Sequence, residues 1–384
     1  MDAEVVRIAI TRNELTADHV PELRELFGLE RLPLAPAKVE IEVKNVPTAV
    51  ANALRRAVID EMPGRCLRVP PEGFDSELTT DPFMLPQLVS QLNIHLLPLR
   101  PQIPAEVVKA LRLGLDVTNR GTSALTVYSG DLEVTEGAMP DPLFNPTFTI
   151  AVLQPGKRIV IRGIYISSGF GRDHAAYQVA RRGVTRPLDI PEYPESDTHD
   201  APTFGADGAP LTGAAADWSG FRVSCLVADP RRHLVSAVLP ATGPDPAAIR
   251  AVFADACANV KDRLRLVVSA VERHARAGAQ VGAAPGQEAA RAGVQFTVVQ
   301  LQEGLSEGIL QVPAETHTIG ELLRRAVHDL TPNLVFASYE IVSHENRLHF
   351  TVRHTEDVVR VILRGAQHCI ATFEALQRGI TAAR

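Results

Sequence analysis

The chain has 384 residues, 45% of them hydrophobic and 22% charged, which leaves room for two or three domains and a sizeable core of ordinary globular composition. A formal net charge of −6 argues against a general polyanion binder, although a single basic strip could still touch nucleic acid. There is no apolar run of membrane-spanning length, the opening "MDAEVVRIAI" does not read as a secretory signal, and Cys66, Cys225, Cys257 and Cys369 never form C-x-x-C, so a reducing compartment without a disulfide framework is expected.

Residues 4–10 and 38–46 alternate apolar and polar as half-buried strands do, and "TADHVPELRELFGL" between them reads as a short helix. A helix through "ANALRRAVIDEMP" follows and is stopped by Pro63. Strands are predicted at 111–118, 125–128, 147–153 and 158–166, then a Pro-, Asp-, Gly- and Ala-rich loop over 189–217. After a strand at 221–227, a long helix carries Ile249, Val252, Phe253, Ala256, Val260, Leu264, Val267 and Val271 in steps of three and four, one continuous apolar stripe. The Ala/Gly-rich stretch 276–293 is the best linker in the chain. Beyond it come a strand at 294–302, a second helix in "GELLRRAVHDLTP", strands at 334–342 and 347–354, and a closing helix with Val358, Ile362, Ala366, Cys369, Phe373, Leu376 and Ile380 on one face.

The stretch starting at Leu54 and the stretch starting at Leu323 share Leu, Arg, Arg, Ala, Val, Asp and Pro in register. Two copies are too few for a solenoid. They suit two related units, each ending in a one-sided long helix, that bury those stripes against each other as a pseudo-two-fold pair with an obligate interface. On this reading the fold is α+β. Residues 1–64 and 218–275 form the first unit, 65–217 a strand-rich insertion, and 294–384 the second unit.

"ANALRRAVIDEMPGRCL" with the following "SELTTDPFMLPQLVSQLNIHLLPL", and later "LQPGKRIVIRGIYISSGFGRDHAAY", resembles the RNA polymerase family that includes the bacterial alpha N-terminal domain, the archaeal D-type protein and the third-largest eukaryotic subunit. "ETHTIGELLRRAV" and "FASYEIVSH" are similar to the archaeal L-type protein and its small eukaryotic equivalent. Two subunits that are usually separate look fused, as in some large DNA viruses of eukaryotes.

The resemblance implies a non-catalytic scaffold that docks the largest and second-largest polymerase subunits. Small polymerase subunits are further candidate partners; DNA and RNA are met only through the complex, and no membrane is involved. The setting would be the cytoplasm or nucleus of the host cell, with packaging into a virion open. A stand-alone dimerisation module that titrates polymerase subunits is the competing reading. Many D-like subunits carry a cysteine-rich metal loop; this sequence has no such cluster, so no metal or other cofactor is expected. Glu321 stands where the L-like signature has Asn, and Glu345 replaces a Pro.

The resemblance places the docking of the large subunits on Arg55, Arg56, Arg324 and Arg325. Taken alone, the spacing of Arg56 with Asp60 and of Arg325 with Asp329 predicts two exposed ion pairs. The dimer interface is assigned to Asn52, Leu54, Val58, Val260, Leu264, Val267, His317, Thr318, Leu322, Leu323, Val327, Ile362, Cys369 and Phe373. Thr318 and Glu321 have capping-box spacing, with Thr318 as N-cap, and His317 is expected to orient that helix start through a hydrogen bond.

Gly169, Gly171 and His174 are read as a glycine-permitted turn in an interface loop, since His174 occupies the position where a dinucleotide loop needs its third glycine. His349 and His354 would point to opposite faces of a strand and build no metal site. "ARRGVTR" reads as a solvated basic face, and no catalytic motif selects a residue for chemistry.

Overall fold

The computed structural model describes residues 3–16, 31–75, 91, 93–97, 99, 103–139, 143–144, 146, 148–188, 220–228, 246–279, 293–301, 304–342 and 345–383. The helix expected at "TADHVPELRELFGL", apart from its first residue Thr16 which ends a strand, the 189–217 loop and most of "SELTTDPFMLPQLVSQL" lie outside the described residues.

The chain opens with an antiparallel pair, β1 (Glu4–Thr16) and β2 (Arg31–Lys44). Val39, Ile41 and Val43 are fully buried while Lys38, Glu40 and Glu42 alternate with them, the period-two pattern of a strand with one covered face. Helix α1 (Thr48–Arg56) follows and widens into a π-helical turn, Ala57–Glu61, before Met62 turns extended and Pro63 begins β3 (Pro63–Arg68).

The short helix α2 (Ala105–Ala110) leads to β4 (Arg112–Thr118), β5 (Leu125–Tyr128), β6 (Glu133–Glu136), β7 (Thr149–Leu153) and β8 (Arg158–Phe170). These strands form one sheet ordered β3-β8-β4-β6 and a separate β5-β7 pair. They enclose their own hydrophobic cluster, which includes Leu67, Leu113, Leu115, Ile161 and Ile164.

Strands β9 (Ala180–Pro187) and β10 (Gly220–Ala228) return to the first sheet, giving the order β1-β2-β10-β9. The basic stretch read as a solvated face within the insertion is therefore an edge strand of the first sheet, paired with β10. Helix α3 (Pro246–Ala279) runs past the expected linker start, since its alanines continue the helix; residues 280–292 lie outside the described residues.

The second half repeats the first half's order without an insertion: β11 (Gln295–Gln300), β12 (Ser306–Pro313), α4 (His317–Leu330), β13 (Phe336–Val342), β14 (Arg347–His354) and α5 (Val358–Ala382). Its sheet order, β11-β12-β14-β13, matches the first sheet strand for strand. Asn45 and Ala314 precede the two repeated helices at the same separation as the repeats, and both have positive φ, 57° and 53°.

One hydrophobic cluster joins inward residues of both sheets to α1, α3, α4 and α5. The contact between α3 and α5 is the most extensive between helices. Ile249, Phe253, Cys257, Val260, Leu264, Val267 and Val271 on α3 match Val358, Ile362, Ala366, Cys369, Phe373, Leu376 and Ile380 on α5 in spacing, and all are buried. The cysteines are free, and burial pushes the thiols of Cys225, Cys257 and Cys369 up to about 12. Among the described residues no helix is long and apolar enough to cross a membrane.

Candidate subunit interface

Helices α1 and α4 lie in contact. Leu54, Val58, Leu322, Leu323 and Val327 point into the shared core, beside Val260, Leu264 and Val267 of α3 and Ile362, Cys369 and Phe373 of α5. Every apolar residue assigned to the interface from sequence is thus buried in one cluster. On the outer side the two helices border a small cleft lined by Ala49, Asn52, Ala53, Arg56, His317, Thr318, Glu321 and Tyr339.

A buried polar cluster lies where the π turn, α3 and the start of α4 meet. The Glu61 carboxylate is 2% exposed and Glu315 is 7% exposed, with the Arg263 guanidinium between them. Arg263 donates through Nη1 to Glu61 and through Nη2 to Glu315, while its Nε reaches Glu315 Oε2 at 3.0 Å. Thr316 donates its hydroxyl to Glu61 Oε1 at 2.7 Å, and Thr318 donates to the same oxygen at 2.5 Å. Arg56 Nε in turn donates to Thr318 Oγ1 at 3.0 Å.

Burial alone would raise the Glu61 pKa. The Arg263 charge and the hydroxyl donors of Thr318 and Thr316 outweigh it and hold this carboxyl below its ordinary value. Arg263 moves the other way: burial would lower it, but Glu315 and Glu61 raise it, so it stays charged. A cation with two carboxylates and two hydroxyls, all mutually satisfied, is a joint rather than a reactive centre.

The N-cap of α4 is Thr316, whose hydroxyl accepts from the Thr318 amide at 3.2 Å, not Thr318 as the capping-box spacing suggested. Glu321 does not reach back to a cap; it pairs with Arg324 Nη2 at 2.6 Å. His317 is exposed and meets the Tyr339 ring edge-on at 5.7 Å, so the helix start is fixed by Thr316 and not by the histidine. Gly320 makes room for Tyr339, because a Cβ there would come within 2.5 Å of the ring.

The four arginines assigned to docking from sequence separate into different settings. Arg325 pairs with Asp329 at 2.8 Å as expected, but Arg56 forms no ion pair with Asp60. The sequence spacing is identical; the difference is the π turn, which removes the four-residue stacking that α4 keeps. Arg55 donates to Asn52 Oδ1 at 3.0 Å and to Gly183 O at 3.5 Å. Burial and the neighbouring Arg56 lower its pKa, with Asp60 offsetting part of that. Tyr339 stands between helices: burial and Glu321 raise its pKa, opposed by Arg324 and Arg56.

Gly169 and Gly171 are not in the left-handed region; close approach requires them. A Cβ on Gly169 would lie 2.6 Å from the Tyr177 ring, and one on Gly171 would lie 2.5 Å from the Ile59 carbonyl oxygen. His174 caps the following short turn by accepting from the Ala176 amide at 3.1 Å. Arg172 then binds the loop to both halves, its amide donating to Asp60 O and its guanidinium to Ala314 O.

Glu61, Arg263, Glu315 and Thr316 went unrecognised from sequence. A signal existed for Glu61: it follows Leu54 by two helical turns, on the buried stripe, and Leu330 holds the same place in the second copy.

No family model matches the chain. A DNA-directed RNA polymerase RPB3-11 homolog of African swine fever virus, Badajoz strain, is 30% identical over 365 residues, covering 93% of this chain and 91% of that protein. Its counterpart from a Namibian warthog isolate of the virus has the same identity and coverage. The DNA-directed RNA polymerase subunit Rpo3 of Pyrobaculum arsenaticum is 31% identical over 147 residues, 36% of this chain and 54% of that protein. With that identity over nearly the whole of both proteins, the chain belongs to the family of DNA-directed RNA polymerase RPB3-11 homologs.

Proposed function

We propose that the chain is a non-catalytic assembly scaffold within a multisubunit RNA polymerase, docking the largest and second-largest subunits through opposite units of an intramolecular pseudo-two-fold pair. Residues 3–62 with 180–279 form one unit on this reading, residues 293–383 the other, and the body between β3 and β8 is an insertion. The two units share one core, so they would present their outer surfaces as a single rigid body. The observation that carries the proposal is the matched strand order of the two sheets around the α3–α5 seam. Arg55 and Arg324, each with guanidinium donors to spare beyond its internal partners, are the docking arginines to test. The complex would work in the cytoplasm or nucleus of a host cell.

The test is affinity purification of the tagged full chain from its native setting, with an RNA-synthesis assay on the eluate. Stoichiometric recovery of both large subunits in an active complex is expected, with Arg55→Glu or Arg324→Glu each releasing one large subunit while the circular dichroism spectrum stays unchanged. Recovery of one large subunit in an inactive complex would replace the scaffold with a titrating module, and retention of both by folded variants would remove the arginines from the docking surface.

A further inference from the structure

The buried cluster occupies only one side of the α1/α4 pair. By the register of the repeated helices, Glu61 corresponds to Leu330, Glu315 to Val46, Thr316 to Pro47 and Thr318 to Ala49. The shared spacing of the buried stripes on α3 and α5 makes Thr372 the counterpart of Arg263, and the Thr372 hydroxyl donates to its own helix, to His368 O at 2.9 Å. Every charged or hydroxyl-bearing member of the cluster on one side thus faces, on the other, a position without charge. The apolar positions of the seam correspond in spacing though not in residue, as Phe253 with Ile362 and Leu264 with Phe373, so packing contributes to the choice of partner, while the buried charges are the groups that differ in kind between the two sides.

We infer that Glu61, Arg263 and Glu315 are the residues that specify pairing of the first unit with the second and exclude pairing of like units. The inference rests on the pseudo-two-fold reading above. In a pair of second units, Glu315 would be buried against Leu330 and Thr372 with no cation to receive it. A pair of first units would keep Arg263 beside Glu61 but remove its second carboxylate and the Thr316 and Thr318 donors, leaving guanidinium and carboxylate hydrogen bonds unmet at both ends of the seam. Only the unlike pair satisfies every group. A second asymmetric contact runs the same way: Lys261, 8% exposed, donates to Gln377 Oε1 at 2.6 Å, and Gln377 donates onward to Ala254 O at 3.1 Å.

The experiment uses the full chain with a protease site placed between 280 and 292. Two copies bearing different N-terminal tags are co-expressed, cleaved after folding, and captured on one tag. Wild-type capture is expected to recover the C-terminal fragment alone. The triple variant Glu61→Leu, Arg263→Met, Glu315→Leu, which replaces the cluster by apolar side chains, is expected to bring down the second tagged N-terminal fragment as well. Should that variant fail to fold, Glu61→Gln, Arg263→Gln, Glu315→Gln keeps hydrogen-bonding groups without charge and is read in the same way. Strict unlike pairing in a folded variant overturns the inference, and so does mixed pairing in the wild type. The assay contains no other polymerase component, so failure of the docking reading leaves its result untouched.

Discussion

Replacing Arg263 by Met keeps a long side chain against α3 but removes the cation between two carboxylates that are 2% and 7% exposed. Breaking a buried ion pair by deleting one partner costs about 3–5 kcal/mol, and two carboxylates are stranded here, so the upper part of that range is expected at pH 7.5. The pH dependence carries the diagnosis. In the wild type the Glu61 carboxyl sits below its ordinary value, so its contribution to stability is complete above the unfolded value, about 4.3, and is lost as pH falls through the folded one. In the variant the Arg263 charge that opposed burial is gone, only the Thr316 and Thr318 hydroxyls still favour the Glu61 carboxylate, and the two like charges repel, so the folded state takes up a proton more readily than the unfolded chain and gains stability as pH falls. Each unit by which a folded pKa rises returns about 1.4 kcal/mol once the pH drops below the unfolded value. Urea unfolding followed by far-ultraviolet circular dichroism at pH 7.5 and pH 5 measures both effects. A loss below about 1 kcal/mol at pH 7.5, or the same loss at both pH values, would refute the reasoning, because neither is compatible with two buried, ionised carboxylates deprived of their cation.

A Cβ on Gly183 would lie 1.9 Å from Ile59 Cδ1 and 2.9 Å from Arg55 Cγ. Gly183→Ala is therefore expected to destabilise by about 1–3 kcal/mol as overpacking does, visible as a lowered thermal midpoint; an unchanged midpoint would mean that β9 is not held against α1. Burial, then Arg68 and His174, lower the His95 pKa to about 4. The unfolded chain takes up a proton as pH falls through about 6.5 while the folded protein resists until about 4, so stability declines across that window. His95→Asn should flatten the decline in a pH series of thermal midpoints, and a profile identical to the wild type would remove His95 as its source.

The long helices and most strands were legible because their apolar periods are strong: the stripes on α3 and α5 are buried at every position named from sequence except Val252, which is half-buried. Strand β9 was missed for the opposite reason. "ARRGVTR" has no apolar alternation, and it becomes a strand because β10 offers it a free edge and Gly183 lets α1 approach. The π turn was hard to foresee since the two copies read alike through Leu-Arg-Arg-Ala-Val and diverge only at Ile59/His328, Glu61/Leu330 and Met62/Thr331, where the partners of Glu61 lie far away in sequence. The same holds for the joint itself. Arg263 reads as one more exposed arginine on a helix until residues more than fifty positions distant bring it two carboxylates.

The body between β3 and β8 bears on how fast the first sheet can be made. Ile41 pairs with Val223 across roughly 180 residues, whereas the equivalent pair in the second sheet, Leu310 and Phe350, is about 40 apart; closing the longer loop costs about 1.3 kcal/mol more in chain entropy. Yet β3 pairs with β8 so that Pro63 lies opposite Phe170, the two ends of that body held side by side. Once that body has folded around its own core, the loop is effectively shortened by roughly 100 residues, which recovers about 0.8 kcal/mol of the penalty. On the proposed division of the chain, that body would serve as a folding staple: formed early, it would let the first sheet close at a rate approaching that of the second.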